Sequence, residues 1–148
     1  MYVVYVLVAA LAGAGLPIQL GLNNQVRIAT GSPFAAAAVS FGVGTAALAL
    51  LLLALRPPVP PVPHLAAAPW WIWIGGGLLG VFYLTAGIVI GPKIGPAVLF
   101  TLVVAGQTLN SIVIEHYGLF DFAKHHVTPM RALGVVLLIG GVVLIRAF

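Results

Sequence analysis

Long apolar runs alternate with short polar or proline-rich breaks along this chain. The runs cover residues 2 to about 26, 33 to 55, 70 to 91, 95 to 115 and 129 to 147. Each reaches the ~20 residues that a helix needs to cross a hydrocarbon core about 30 Å thick. The breaks read TGSP at 30 to 33, GPKIGP at 91 to 96, and a polar segment from Glu115 to Pro129. Between the second and third runs lies RPPVPPVPH, whose prolines fix φ and lack donors, so residues 56–69 are expected as a non-helical loop. The pattern predicts an all-α integral membrane fold of five transmembrane helices, with residues 1–148 as a single membrane domain. Trp70, Trp71 and Trp73 open the third span, and Tyr2 and Tyr5 open the first, at the depth that amphipathic rings favour. The first run carries no positive n-region and is expected to be a span rather than a signal peptide.

Composition strengthens this reading. Of 148 residues, 62% are hydrophobic and 5% charged, so lipid is the solvent for most of the chain. There is no cysteine, which excludes disulfides and thiolate ligands. Six Lys and Arg against two acids are too few and too scattered for a nucleic-acid footprint.

Charge changes the picture more than composition does. With five spans, Arg56, Lys124 and Arg131 fall on the side of the N-terminus, and Arg27, Lys93 and Arg146 on the other. Positive residues normally collect on the cytoplasmic side and set orientation. This even division predicts insertion in both orientations; the plainer alternative is that one arginine or the proline-rich loop tips a weak bias. Two oppositely oriented copies would form a ten-helix antiparallel homodimer, the plan of inverted-repeat transporters, whose solute lies near the midplane.

The polar residues inside the runs are the candidate chemistry. Gln19 and Asn23 share a face of the first helix, one turn before Arg27, and Pro17 removes a backbone bond just ahead of them and is expected to kink the helix. The fourth span carries Gln107, Thr108, Asn110, Ser111 and Glu115, of which Gln107, Ser111 and Glu115 form one stripe at spacing i, i+4, i+8. Amides unsatisfied in hydrocarbon are costly, so these groups must face protein or water. Gln19, Asn23, Gln107, Asn110 and Ser111 are therefore candidate solute-binding residues, and interhelical hydrogen bonding is the competing role. Asn24 and Gln25 are expected only to end the first helix. Glu115 is a possible coupling acid, or a structural one paired with Arg131 or Lys124. His116, Asp121, His125 and His126 share a loop with it, but no ligand spacing repeats, so no metal is expected. Tyr83 and Thr85 read as packing residues, and the glycines at 75–77, 80, 134, 140 and 141 as points of close helix approach. No nucleophile–base pair stands in the spans, so neither an enzyme nor a cofactor is expected.

The blocks GLPIQLGLNNQVRIATGSP, PWWIWIGGGLLGVFY, IGPAVLFTLVVAGQTLNSIVIEHYGL and TPMRALGVVLLIGGVVL, in that order, resemble the YdcZ-like inner-membrane proteins of the drug/metabolite transporter superfamily. The tryptophan pair, Gln107 and the P-x-R-A element at Pro129 to Ala132 are the most specific parts of the likeness. The resemblance implies bacterial inner-membrane transport by five-helix units that occur as single, paired or fused genes. The family's acid after the fourth span is commonly Asp, where this chain has Glu115. Small multidrug exporters of the same superfamily couple to protons through a glutamate in the first helix; amides stand here instead, and an amide does not titrate at neutral pH. The expectation is a transporter of a neutral or amphipathic small solute. The alternatives are a non-transporting membrane assembly subunit and half of a heterodimer with a paired homologue.

Overall fold

The computed structural model describes residues 1–58 and 69–148. Among these, five helices are long and apolar enough to cross a membrane. They are α1 (Tyr2–Thr30), α2 (Pro33–Leu55), α3 (Trp70–Ile94), α4 (Pro96–Tyr117) and α5 (Pro129–Ala147), with a short 3-10 turn at Leu119–Asp121. Residues 59–68 of the expected proline-rich loop lie outside the described residues.

Local chemistry explains where the helices start and stop. Gly31 ends α1 in the left-handed region at φ 71°, which costs glycine little. Ser32 then caps α2, its hydroxyl oxygen accepting from the Ala35 amide at 3.2 Å, and Pro33 takes the first helical position, where no N–H is needed. The same device opens α5, where the Thr128 hydroxyl accepts from the Arg131 amide at 3.3 Å and Pro129 follows. Gly95 at φ 83° separates α3 from α4, and Gly118 at φ 65° caps α4 by donating to the Ile114 and Glu115 carbonyls.

Three ends differ from the sequence expectation. Helix α1 runs on to Thr30, so Asn24 and Gln25 do not terminate it. The Arg27 side chain donates to Asn24 Oδ1 at 3.0 Å, one turn back along the helix, which lets the amide serve the helix rather than break it. Helix α3 passes through Pro92 to Ile94, because a proline in the last turn removes one bond and the stop comes only at Gly95. Helix α4 continues past Glu115 to Tyr117, where the left-handed glycine is reached. Pro17 lies inside an unbroken α1, and the residue four before it, whose carbonyl its ring crowds, is Gly13.

The chain divides into two compact units, Met1–Lys93 and Ile94–Phe148. In the first, α1 packs against α2 as a hairpin. A Cβ on Gly80 of α3 would stand 3.3 Å from the Phe41 ring of α2, so a side chain there requires that ring to shift by a few tenths of an ångström. The buried positions of this unit are Leu20, Asn23, Ala36, Ala37, Leu84, Ile88 and Gly91. In the second, α4 packs against α5, burying Leu99, Ala105 and Val142. Most other large apolar side chains are exposed, including Leu50 to Leu53 on α2 and the three tryptophans of α3. That surface suits hydrocarbon as its solvent. Close approach through glycine is therefore local: Gly75, Gly76, Gly77, Gly134, Gly140 and Gly141 meet nothing within 4 Å at a Cβ position.

Candidate functional site

The second unit holds a groove with one polar wall. The stripe spacing on α4 turns Gln107, Ser111 and Glu115 toward α5, together with Thr108 and Ile112. Helix α5 supplies Arg131, Gly134, Val135 and Leu138, and the space between is about 540 Å³. One wall offers hydroxyls and an amide, while most of the other is aliphatic or glycine. Such a groove fits a solute with a polar edge and an apolar face.

A clasp of charged groups forms one end. Arg131 Nη2 donates to Glu115 Oε2, and Arg131 Nη1 donates to the His125 carbonyl at 3.3 Å. The His125 amide donates to the Glu115 carbonyl at 3.0 Å, and His125 Nδ1 stands 3.9 Å from Glu115 Oε2. The Val127 amide donates to His116 Nδ1 at 3.4 Å, and the His116 and His126 rings meet edge to face with centroids 5.4 Å apart. The loop from Gly118 to Thr128 is thus folded back on the end of α4. A single guanidinium joins the α4 carboxylate, the loop backbone and α5, which its several fixed donors allow. Glu115 is paired with Arg131 and not with Lys124. Among the described residues, no three His, Asp or Glu side chains are placed to hold a metal.

The candidate residues divide between the units. Gln107 and Ser111 line the groove, whereas Asn110 is exposed on α4 and is not part of its lining. Gln19 and Asn23 belong to the first unit: Gln19 is exposed, and Asn23 is buried at 6% exposure. Sequence reasoning did not place Arg131 or Thr108 in the groove. The i, i+4, i+8 stripe pointed to one wall, but the facing residues follow only from how α5 packs.

The family model described as "Putative inner membrane exporter, YdcZ" matches residues 4–144. No curated protein and no solved structure matches the chain. The match extends over all five apolar helices, from the third residue of α1 to three residues before the end of α5. The protein is a multi-pass protein of the inner membrane and a membrane transporter. The chain belongs to the YdcZ family of inner-membrane exporters.

Proposed function

We propose that the protein carries a small neutral or amphipathic solute across the inner membrane as an antiparallel homodimer of dual topology. Its solute pocket is lined by Gln19, Asn23, Gln107, Asn110 and Ser111. One observation carries this reading: Gln19, Gln107, Asn110 and Ser111 all stand exposed on apolar helices of the single chain. In hydrocarbon each unsatisfied polar group costs several kcal/mol, so these faces require protein or enclosed water against them. A second copy in opposite orientation supplies both, and the three-against-three division of Lys and Arg permits that orientation. Glu115, tied to Arg131 at the end of the groove, serves either as a structural acid or as one that couples weakly from the edge of its span.

Topology tests the proposal. The chain has no cysteine, so a single Cys placed after Phe148 can be labelled in cells with a membrane-impermeant reagent. Labelling of about half the chains is the outcome expected of two orientations. Labelling of all or none removes the homodimer and leaves an oppositely oriented homologue as the partner. Replacing Gln19 and Gln107 by Leu then separates roles: pocket residues leave the dimer intact in detergent, and interhelical glue does not.

A further inference from the structure

The second unit has another groove, at the end away from the clasp. Helices α4 and α5 pack as antiparallel neighbours, so the start of α4 at Pro96 and the end of α5 at Ala147 share that end. Ile94, Val98, Leu102, Val142 and Val143 line a space of about 590 Å³ there, and Arg146 completes the lining. Val98 and Leu102 are four apart on α4, as are Val142 and Arg146 on α5, so each pair shares a helix face. Leu102 lies six residues inside the start of α4, and Val142 five before the end of α5. At 1.5 Å per residue these depths are about 9 and 8 Å. The groove is thus an apolar slot that opens at the membrane surface with a cation at its mouth.

That cation has no counter-charge. Arg146 is exposed and makes no side-chain hydrogen bond or ion pair among the described residues. The other arginine of α5 differs, since Arg131 is tied to Glu115 and the His125 carbonyl. The sequence holds two acidic side chains, Glu115 and Asp121, and both stand at the clasp end of the unit. The 22 residues of α4 set about 33 Å between the two ends. Nor does the guanidinium cap its own helix, where the Leu144 carbonyl accepts from the Phe148 amide. In a bilayer the anions at this level are lipid phosphates, which a guanidinium grips with two parallel hydrogen bonds.

We infer that this slot is a binding site for one anionic phospholipid. Arg146 holds the phosphate, and the upper part of an acyl chain lies along Val98, Leu102, Val142 and Val143. The site is independent of how the solute is carried. Its two parts select the occupant. A zwitterionic headgroup brings its own cation to the phosphate and so offers the uncompensated guanidinium less than an anionic one does. A free anion leaves the apolar slot unfilled. A helix, 10–12 Å across with its side chains, is too wide to enter a slot between two packed helices, whereas an acyl chain is not.

The experiment is native mass spectrometry of the full chain in detergent, titrated with phosphatidylglycerol or with phosphatidylcholine of the same acyl chains. One phosphatidylglycerol per chain should bind saturably, about fivefold more tightly than phosphatidylcholine, the worth of one basic residue beside an anionic headgroup. Arg146→Gln, a change at an exposed side chain, should bring that ratio to about one. Val143→Trp fills the slot from its exposed side and should weaken phosphatidylglycerol binding about fivefold with the arginine still in place. Equal affinity for the two lipids, or binding that does not saturate, overturns the inference. So does a preference that survives Arg146→Gln. Unchanged binding in Val143→Trp would mean attraction at the surface without a slot, and displacement of the lipid by 10 mM inorganic phosphate would mean a free-anion site; either result defeats the inference. Loss of chain pairing in Arg146→Gln, with no change in the lipid ratio, would assign the slot to a second copy instead.

Discussion

Ile88→Ala separates packing from the hydrophobic effect in this protein. Ile88 is fully buried on α3, and Leu79, on the same helix, is 70% exposed. In a water-soluble domain, Ile→Ala costs about 2–5 kcal/mol, combining the lost transfer energy with the cavity left behind. In a bilayer the unfolded helix is already solvated by lipid tails as apolar as isoleucine, so the transfer part nearly vanishes. What remains is the cavity. Three carbons leave about 80 Å³, which at about 24 cal/mol per Å³ gives about 2 kcal/mol if the site does not collapse. Leu79→Ala also removes three carbons but leaves a gap that lipid fills, so its change should stay within about 0.5 kcal/mol. Equilibrium unfolding in mixed micelles, titrated with a denaturing detergent, measures both. Equal losses for the two variants would refute the burial of Ile88. A loss near 5 kcal/mol for Ile88→Ala would refute the assumption that the reference state is lipid-solvated.

Other positions give independent checks. Ser32→Ala removes the cap of α2 and should cost about 1 kcal/mol, seen as faster hydrogen exchange at the Ala35 amide. Gly118→Ala forces a side chain into the left-handed region at φ 65° and should cost about 1–2 kcal/mol in the same unfolding assay; no loss would mean that α4 can end another way. Arg131→Lys keeps the charge but cannot hold Glu115 and the His125 carbonyl together, so trypsin should cut at Lys124 about fivefold faster, the ratio expected for one lost hydrogen bond. An unchanged cleavage rate would show that the loop is held without Arg131.

Much of the helical architecture was legible because its punctuation is local. The motifs TGSP and TP at 128 to 129 announce caps and starts through hydroxyl, glycine and proline chemistry that acts within four residues. The end of α1 was misplaced because asparagine is ambiguous on its own: Asn24 supports the helix only through Arg27, three residues on. The polar stripe of α4 was readable from its period, whereas Arg131 across the groove depends on packing. Arg146 was hidden for a subtler reason. Its sequence context is that of any arginine at the end of a span, and only the three-dimensional surroundings show the apolar slot beside its unpaired guanidinium.

The uncovered glycines of α3 and α5 leave bare backbone on the faces of two apolar helices. A face without side chains has no rotamers to rearrange, so an acyl chain and a neighbouring backbone can occupy it in turn with little change in the protein. Lipid then acts as a competing ligand for those faces, present at very high concentration. In the antiparallel dimer proposed above, the paired fraction would be a matter of mass action between protein and acyl chains, and dilution of the protein in lipid, or a change in tail order, would shift it without any signal arriving at the polar site.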